Sequence, residues 1–315
     1  MINKVVALAG GVGGARLAHG LCHAMPAENL TVVVNTGDDF IFNGLNISPD
    51  LDTVCYTLAG QANEKTGWGI SGDSFNALIQ IQALGGEDWF ALGDRDIGTH
   101  LYRTAEMKKG LSLSVITGQI CKKLKIHARV IPMTDDSVRT MVHDQQGNWL
   151  DFQEYFVHQV CVPKVEGFKF MGIETARPAP GVLEALKEAD LIVICPSNPW
   201  VSIDPILNVN KIRDALTGKA VLAVSPLIGG AAVKGPLAKM YQELGIKPSC
   251  LAIAEHYRDI LKGLVIDKSD CDESGSIDAF GIITKATDIF MKDAGDRKRL
   301  AVEVLEFGET LLKSL

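Results

Sequence analysis

Short apolar runs alternate with amphipathic stretches along most of the chain. Residues 4–9 (KVVALA) form a continuous apolar run, which is typical of a strand buried in a parallel sheet. A glycine-rich stretch follows, then an amphipathic stretch (ARLAHGLCHAM) that predicts a helix, and then a β-branched run at 30–36 (LTVVVNT). A strand, a glycine turn, a helix and a second strand in close succession predict a βαβ unit.

The same alternation continues to the end of the chain. It predicts further strands at 127–134, 190–199, 219–226 and 249–257, and further helices at 71–85, 100–110, 181–189, 236–245 and 296–314. This order predicts an α/β fold with a doubly wound, Rossmann-like parallel sheet.

One stretch departs from the alternation. Residues 140–156 contain two alternating runs around the turn QQGN, which predicts an antiparallel hairpin. We therefore expect a Rossmann-like nucleotide-binding core formed by 1–112 and 176–315, with a small α+β subdomain inserted at 113–175.

Composition narrows the class of protein. Of the 315 residues, 47% are hydrophobic and 22% charged, as in ordinary globular proteins. The net charge is −7 and the basic clusters at 122–125 and 297–299 are short, so we do not expect a nucleic-acid partner. The seven cysteines form no CxxC pair, so neither a zinc site nor a redox pair is indicated. No apolar run approaches the roughly 18 residues of a membrane span, and we expect a cytoplasmic protein without a membrane partner.

The glycine-rich stretch at 10–16 (GGVGGAR) is the first candidate for chemistry. Its four glycines would let backbone N–H groups approach a phosphate at the start of a helix. The dinucleotide pattern needs glycine where Arg16 stands, and the Walker lysine is absent. The stretch is therefore either a phosphate-binding loop of neither standard kind or a tight turn without a ligand.

Polar loops follow three other predicted strands, at 35–39 (NTGDD), 196–199 (PSNP) and 225–230 (SPLIGG). Ligands of open parallel sheets bind beyond the carboxyl ends of the strands, where these loops would lie. An acid at 38 or 39 falls where a ribose is often bound. Each loop alone is consistent with an ordinary turn, but their agreement favours a nucleotide site.

Two carboxylates, Asp50 and Asp52, lie one residue apart in SPDLDTV (48–54). If the segment is extended, both side chains point to the same side. Adjacent carboxylates repel each other unless a cation lies between them, and Mg²⁺ prefers oxygen ligands, including those of phosphates. A capped turn or an ion pair is the alternative.

A second charged cluster occupies 92–104 (LGDRDIGTHLYRT), where Asp94, Arg95 and Asp96 precede His100 and Arg103. The spacing of the last two predicts neighbouring positions on a helix. Arginine binds phosphate through two parallel hydrogen bonds, so the cluster is either a phosphate contact or a surface network of ion pairs.

Nine motifs, taken in order, resemble the 2-phospho-L-lactate transferase family from about residue 5 to about residue 260. They are GGVGGARL, VVVNTGDDF, ISPDLDTV, WGISGDSF, LGDRDIGTH, PMTDD, CPSNPWVSIDPIL, VSPLIGGAAVKGPLAKM and AEHY. The resemblance implies an Mg²⁺-dependent enzyme of coenzyme F-420 biosynthesis. Such an enzyme transfers a phospholactyl group, or a phosphoenolpyruvyl group in bacterial relatives, from a guanosine diphosphate ester to the deazaflavin alcohol Fo and releases GMP.

The resemblance also implies roles for individual residues. Asp50 and Asp52 match the family's acidic motif and would be the catalytic and Mg²⁺-binding residues, without a decision on which does what. The donor nucleotide would be bound by Gly10, Gly11, Gly13, Gly14, Asn35, Thr36, Asp38, Ser197, Asn198, Ser225 and Gly229. The acceptor Fo would be bound by Asp52, Trp68, Asp94, Arg95, Asp96 and His100.

Two other classes share part of the pattern. The gluconeogenesis-factor family, whose members resemble nucleotide-sugar-binding regulators, has similar glycine and sheet loops, but SPDLDT together with GDRD favours the transferases. An NAD-dependent dehydrogenase is disfavoured by Arg16. The sequence does not separate lactate from phosphoenolpyruvate in the donor. A homodimer is expected because two-fold pairs are the commonest assembly.

Overall fold

The computed structural model describes residues 2–232 and 235–314. The strands in these residues are, in chain order, β1 (Val5–Ala9), β2 (Leu30–Val34), β3 (Phe40–Phe42), β4 (Leu45–Ile47), β5 (Arg129–Pro132), β6 (Arg139–Asp144), β7 (Trp149–Asp151), β8 (Val165–Met171), β9 (Leu191–Ile194), β10 (Val221–Val224), β11 (Leu227–Ile228), β12 (Ala231–Ala232), β13 (Gly263–Asp267) and β14 (Ile283–Thr287).

The helices in the described residues are α1 (Gly11–Ala24), α2 (Pro49–Leu58), α3 (Asn76–Ala83), α4 (Asp94–Lys108), α5 (Leu113–Lys123), α6 (Val182–Glu188), α7 (Asp204–Asn208), α8 (Ile212–Ala215), α9 (Leu237–Glu243), α10 (Cys250–His256), α11 (Ser274–Asp278) and α12 (Ala294–Ser314). Short 3₁₀ or π-helical segments cover Ala27–Asn29, Glu154–His158, Pro199–Ile203 and Lys268–Glu273. None of the described helices is both long enough and apolar enough to cross a membrane.

A seven-stranded sheet runs through the protein in the order β14-β13-β10-β9-β1-β2-β5, and every strand pair in it is parallel. The chain starts in the middle, moves outwards to β5, and then returns to β9 on the other side of β1. This is the doubly wound, Rossmann-like order, so the predicted fold class is confirmed. The topological switch point lies between β1 and β9.

Both faces of the sheet are buried, which explains the continuous apolar run of the first strand. Val6 and Leu8 pack into the core formed with α6 to α11, whereas Val5, Ala7 and Ala9 pack into the core beneath α1, α2 and α12. A strand covered on both faces has no polar side to show in its sequence.

The predicted hairpin is present: β6 pairs antiparallel with β7, and β8 completes a three-stranded sheet. The division of the chain into a core and an inserted subdomain stays a prediction. However, β5 falls inside the range 113–175 assigned to the insertion and is an edge strand of the main sheet. A separate unit would therefore begin after Pro132.

One local prediction is wrong, and one condition stated for the acidic pair is not met. Residues 249–257 contain helix α10 instead of the predicted strand, and its first turn is capped by the Ser249 hydroxyl, which accepts from the Ala252 N–H. Cys250, Ile253 and Ala254 are buried at helical spacing. The segment with Asp50 and Asp52 is not extended either, because it begins helix α2 with Pro49 in the first turn.

Candidate active site

A cavity of about 770 Å³ opens beyond the carboxyl ends of β1, β2, β9 and β10, at the switch point of the sheet. Its floor is polar and comes from the loops after these strands and from the first turns of α1 and α2. Its walls are rich in aromatic side chains, among them Trp68, Trp89, Phe90, Phe152 and Phe156. The cavity thus combines polar groups suited to phosphates with aromatic side chains suited to flat rings.

The glycine-rich stretch is the tight junction between β1 and α1. The helix begins at Gly11, which has a left-handed backbone with φ of +64°. A Cβ atom on Gly13 would lie 2.2 Å from the Pro196 carbonyl oxygen in the loop after β9. The Ser197 hydroxyl in that loop donates to the Gly10 carbonyl at 2.8 Å. Glycine is therefore required by close backbone approach, and the approach brings the N-terminus of α1 to the cavity with its partial positive charge.

Asp50 lies against this helix N-terminus. Its Oδ1 accepts the Gly11 N–H at 2.6 Å, and its Oδ2 accepts the Asn35 side-chain amide at 3.0 Å. Burial raises the pKa of Asp50 to about 6, although the hydrogen bonds from Asn35 and Gly11 act in the opposite direction. The carboxylate is therefore well oriented but costly to ionise in the absence of a cation.

Two neighbouring acids enlarge the buried negative cluster. Asp38 accepts the Asn35 amide at 2.8 Å and the Gln153 amide at 3.0 Å, and Asp39 accepts the Ser48 hydroxyl at 2.6 Å. Burial raises the pKa of both carboxyls well above the usual range, and for Asp38 the charges of Asp50 and Asp39 add to the effect. A cation or a bound proton is needed to offset this charge.

Asp52 faces a different partner. Its Oδ1 accepts a hydrogen bond from the Arg103 guanidinium of α4, and both side chains are buried. Its Oδ2 is also buried and has no hydrogen-bond partner in the described residues, although His100 Nδ1 lies 3.5 Å away. Burial acts to lower the pKa of Arg103, but the charge and hydrogen bond of Asp52 outweigh it and raise that pKa.

From Arg103 a chain of polar side chains runs through His100 and Asp96 to Tyr56, and these three residues also line the cavity. Arg103 Nη1 lies 3.0 Å from His100 Nδ1, His100 Nε2 lies 3.3 Å from Asp96 Oδ1, and the Tyr56 hydroxyl donates to the same Asp96 oxygen at 2.7 Å. Burial alone would raise the pKa of Asp96, but its contacts with His100 and Tyr56 and the charge of Arg103 hold it below its usual value. The cluster at 92–104 is thus partly a buried network rather than a surface one.

The structure brings most of the residues expected at the site to the cavity. Those lining it are Gly10, Gly11, Gly13, Asp38, Asp50, Asp52, Trp68, Asp96, His100, Ser197, Asn198 and Ser225. Gly14 and Asn35 lie just behind this lining, Gly14 packed against Ser197 and Asn35 holding Asp50. Thr36 is buried.

Three other expected residues lie outside the cavity lining. Asp94 accepts the Ala77 N–H at 2.8 Å and so caps the start of α3. Arg95 is exposed and donates to the Ser71 carbonyl at 3.3 Å. The Gly229 N–H donates to Asp270 at 2.9 Å. The motif that contains Gly229 also includes residues 233 and 234, which lie outside the described residues.

Several cavity residues are not identified by the sequence patterns. Arg16 lines the cavity from the second turn of α1 and donates to the Met291 carbonyl at 3.2 Å. Gln153, from the three-stranded sheet region, reaches Asp38. A signal for Arg16 is present, because a cation directly after a phosphate-type glycine stretch is itself a candidate phosphate contact. No local pattern identifies Gln153, which reaches the site only through the fold.

The carboxylates of the site fit a metal ion only together with a ligand. The described residues contain no group of three or more His, Cys, Asp or Glu side chains that would hold a metal by themselves. Mg²⁺ usually takes only one or two carboxylates and fills its other positions with water and phosphate oxygens. Asp52 Oδ2 is a buried carboxylate oxygen without a hydrogen-bond donor in the described residues, and both Asp50 and Asp52 line the cavity. The residues present therefore fit Mg²⁺ in company with a phosphate ligand.

The fold and the site place the chain among the doubly wound α/β proteins whose ligand cavity lies at the topological switch point. Residues 5–305 match the family model described as 2-phospho-L-lactate transferase CofD. The chain belongs to this family, and it is a transferase of the phospholactate or phosphoenolpyruvate type.

Individual relatives agree with this assignment. The chain is 42% identical to the phosphoenolpyruvate transferase of Streptomyces coelicolor over 313 residues, which cover 97% of this chain and 98% of that protein. It is 41% identical to the phosphoenolpyruvate transferase of Thermobifida fusca, with 96% of this chain and 99% of that protein covered. It is 38% identical to the 2-phospho-L-lactate transferase of Methanosarcina acetivorans, with 98% of this chain and 100% of that protein covered.

Solved structures support the fold. A crystal structure of a Bacillus halodurans protein matches with a TM-score of 0.65 and 16% identity over 97% of this chain and all of that one. A second structure from the same organism, described as a member of the UPF0052 family, matches with a TM-score of 0.62. At this identity the likeness concerns the fold alone. The alternative of a nucleotide-sugar-binding regulator is not favoured, because the family match and the relatives named above are transferases.

Proposed function

We propose that the protein transfers a phospholactyl or phosphoenolpyruvyl group from a guanosine-diphosphate-linked organic acid to the deazaflavin Fo in coenzyme F-420 biosynthesis. The observation that carries the proposal is one cavity that joins a helix N-terminus, a cluster of buried carboxylates and an aromatic wall. The family match supports the same reaction class.

The donor would bind at the polar groups of the cavity. Its diphosphate would lie at the N-terminus of α1, where backbone N–H groups and the helix dipole favour anions. Arg16 lines the same region and its guanidinium would add a charged contact. Ser197 and Asn198, in the loop after β9, would meet the guanosine side of the donor.

The acceptor would bind at the aromatic side chains. Trp68, Trp89, Phe152 and Phe156 offer flat apolar faces to a tricyclic deazaflavin, which would bury large apolar area against them. The ribityl chain would then reach towards α2. In this arrangement the acceptor hydroxyl and the donor phosphorus meet beside Asp50 and Asp52.

The reaction is a displacement at phosphorus. The ribityl hydroxyl oxygen forms a new bond to the phosphorus that bears the organic acid, the bond from that phosphorus to the GMP oxygen breaks, and the hydroxyl proton passes to a carboxylate of the acidic pair. Asp50 and Asp52 would hold Mg²⁺, which supplies positive charge that offsets the charge developing on the phosphoryl oxygens. The chain's own residues bind and align the two substrates and exclude water from between them.

Turnover by the purified protein tests the proposal. The protein would be incubated with MgCl₂, Fo and either the lactate or the phosphoenolpyruvate form of the guanylyl donor, and GMP and the phosphorylated deazaflavin would be measured. We expect product from at least one donor, and the faster donor identifies the three-carbon acid. The Asp50→Asn variant should be folded and lack turnover. Absence of product with both donors would contradict the proposal.

A homodimer and a cytoplasmic location also remain predictions. Light scattering of the purified protein would give its mass in solution, and cell fractionation would give its location. A monomeric mass at micromolar concentration would contradict the first prediction.

A further inference from the structure

A buried arginine stands directly behind the proposed reaction centre. Arg103, on α4, is 2% exposed, and its Nη2 donates to Asp52 Oδ1 on α2. Asp52 lines the cavity, whereas Arg103 does not. The two side chains therefore form an ion pair in which only the carboxylate is available to a ligand.

The pair engages one oxygen of Asp52 and leaves the other without a hydrogen-bond donor. Oδ1 is taken by Arg103, while Oδ2 is buried and has no hydrogen-bond partner in the described residues. An unpaired buried carboxylate oxygen is costly unless a ligand, a cation or a proton completes it. Asp52 lines the cavity, and this oxygen, which lies 3.5 Å from His100 Nδ1, is the one that an acceptor hydroxyl, a cation or a proton would complete.

Arg103 is itself fixed on its other side. Its Nη1 donates to the Asn46 carbonyl at 3.2 Å and lies 3.0 Å from His100 Nδ1. Since a guanidinium can only donate, His100 accepts at Nδ1 and carries its proton at Nε2, which lies 3.3 Å from Asp96 Oδ1. Asp96 is held in turn by the Tyr56 hydroxyl. A buried ion pair gains little stability over an apolar pair of the same shape, so this degree of orientation beside a cavity favours a role in the reaction.

We propose that Arg103 is a positioning residue: it holds Asp52 by Oδ1 so that Oδ2 is presented to the reacting groups. The inference rests on the proposed transferase function and adds to it a residue that touches neither substrate. Asp50, by contrast, is oriented from the other side by Gly11 and Asn35.

The test compares Arg103→Lys and Arg103→Met with a matched ion pair elsewhere. Lysine keeps the positive charge but not the planar fork, and methionine keeps most of the length without the charge. Arg213, which donates to Asp259 through Nε at 2.8 Å and Nη2 at 2.6 Å on the protein surface, supplies the control variant Arg213→Lys. Each variant would be assayed at 25 °C for kcat, for KM of the donor, for donor and Fo affinity by calorimetry, and for Tm.

We expect kcat to fall at least tenfold in Arg103→Lys and further in Arg103→Met. The KM of the donor and the calorimetric affinities in Arg103→Lys should stay within about threefold of the wild type, because neither substrate touches Arg103. Arg213→Lys should leave both kinetic constants unchanged. A purely structural role would instead weaken both affinities and lower the active fraction in proportion to the loss of Tm.

The outcomes separate the two proposals. If the wild type turns over and Arg103→Lys has the wild-type kcat, the positioning role is wrong and the transferase function stands. If KM rises while kcat is kept, Arg103 acts on binding and the inference is also overturned. If Arg103→Met does not fold, Arg103→Lys decides alone. A wild type without turnover would overturn both the function and this inference.

Discussion

The Asp50 side chain is held in one orientation by hydrogen bonds, and its ionised form is destabilised by burial. Two donors fix its carboxyl group, yet burial holds its pKa at about 6, against an ordinary value of 3.8. Between these two values the folded protein binds a proton that the unfolded chain has already released. The free energy of unfolding of the metal-free protein therefore falls as pH rises through this window.

Replacement of Asp50 by asparagine makes this testable. The asparagine side chain does not titrate, so the unfolding free energy of Asp50→Asn relative to the wild type should increase between pH 4 and pH 7, by about 2 kcal/mol if Asp50 alone contributes. Urea unfolding in EDTA at both pH values measures this difference. The difference in unfolding free energy between variant and wild type at pH 4 serves as the baseline. Any effect of altered hydrogen bonding to Gly11 and Asn35 that does not depend on pH then cancels. Parallel pH curves for the two proteins would show that Asp50 ionises freely in the fold.

At this scale the sequence identifies the reactive residue types but not their partners. Asp50 and Asp52 are recognisable as a pair, and both line the cavity. They belong to a helix, however, where residues two apart point in widely different directions, so Asp50 turns to α1 and Asp52 to Arg103. Sequence spacing shows which acids are close, but only the tertiary fold shows which donor each one meets.

At the scale of elements, the junction of β1 and α1 depends on the absence of one atom. In Gly13→Ala the new Cβ would meet the Pro196 carbonyl oxygen at 2.2 Å, and this backbone atom cannot move without shifting the loop after β9. We expect a loss of about 1–3 kcal/mol in unfolding free energy and a larger proportional loss of donor affinity, because the loop and the helix start both line the cavity. Chemical unfolding and calorimetry would measure the two effects.

Gly118→Ala is the matched control. Gly118 is an exposed glycine in the middle of α5, where a Cβ would meet no atom within 4 Å. Alanine there should stabilise the protein by up to about 1 kcal/mol, since it is the better helix former, and leave donor affinity unchanged. An equal effect of the two substitutions on donor affinity would show that the close approach at Gly13 has no part in the site.

The sequence predicts a strand or helix well where a short apolar run is buried on both faces. It predicts poorly where the same run of residues fits both the strand and the helix period. The apolar runs of β1, β2, β9 and β10 are buried on both faces and have no helical alternative of sufficient length. The run at 249–257 begins with a similar apolar stretch, but its buried residues recur at helical spacing and Ser249 caps it, so it forms α10. The capping residue is the information that decides between strand and helix.

For the whole molecule, the main electrostatic problem is that an acidic protein would bind an anionic donor. The net charge is −7, and Asp38, Asp50 and Asp52 all line the cavity that would receive the donor's diphosphate and carboxylate. The N-terminus of α1 and Arg16 supply positive potential, but both are partly engaged, Gly11 by Asp50 and Arg16 by Met291. Close approach of phosphate to ionised carboxylates requires a cation between them.

Removal of Mg²⁺ should therefore weaken the binding of the donor and leave the binding of the acceptor almost unchanged. We expect EDTA to reduce donor affinity at least tenfold at pH 8, a change of about 1.4 kcal/mol. The affinity for Fo, which would bind by ring contacts, should change by less than twofold. At pH 5 in EDTA the loss should be smaller, because Asp50, with a pKa of about 6, is then largely protonated. Calorimetry with each substrate at the two pH values measures all four affinities. A donor affinity that is the same with and without Mg²⁺ at pH 8 would mean that the protein alone neutralises the diphosphate, and the acidic cluster would then need another explanation.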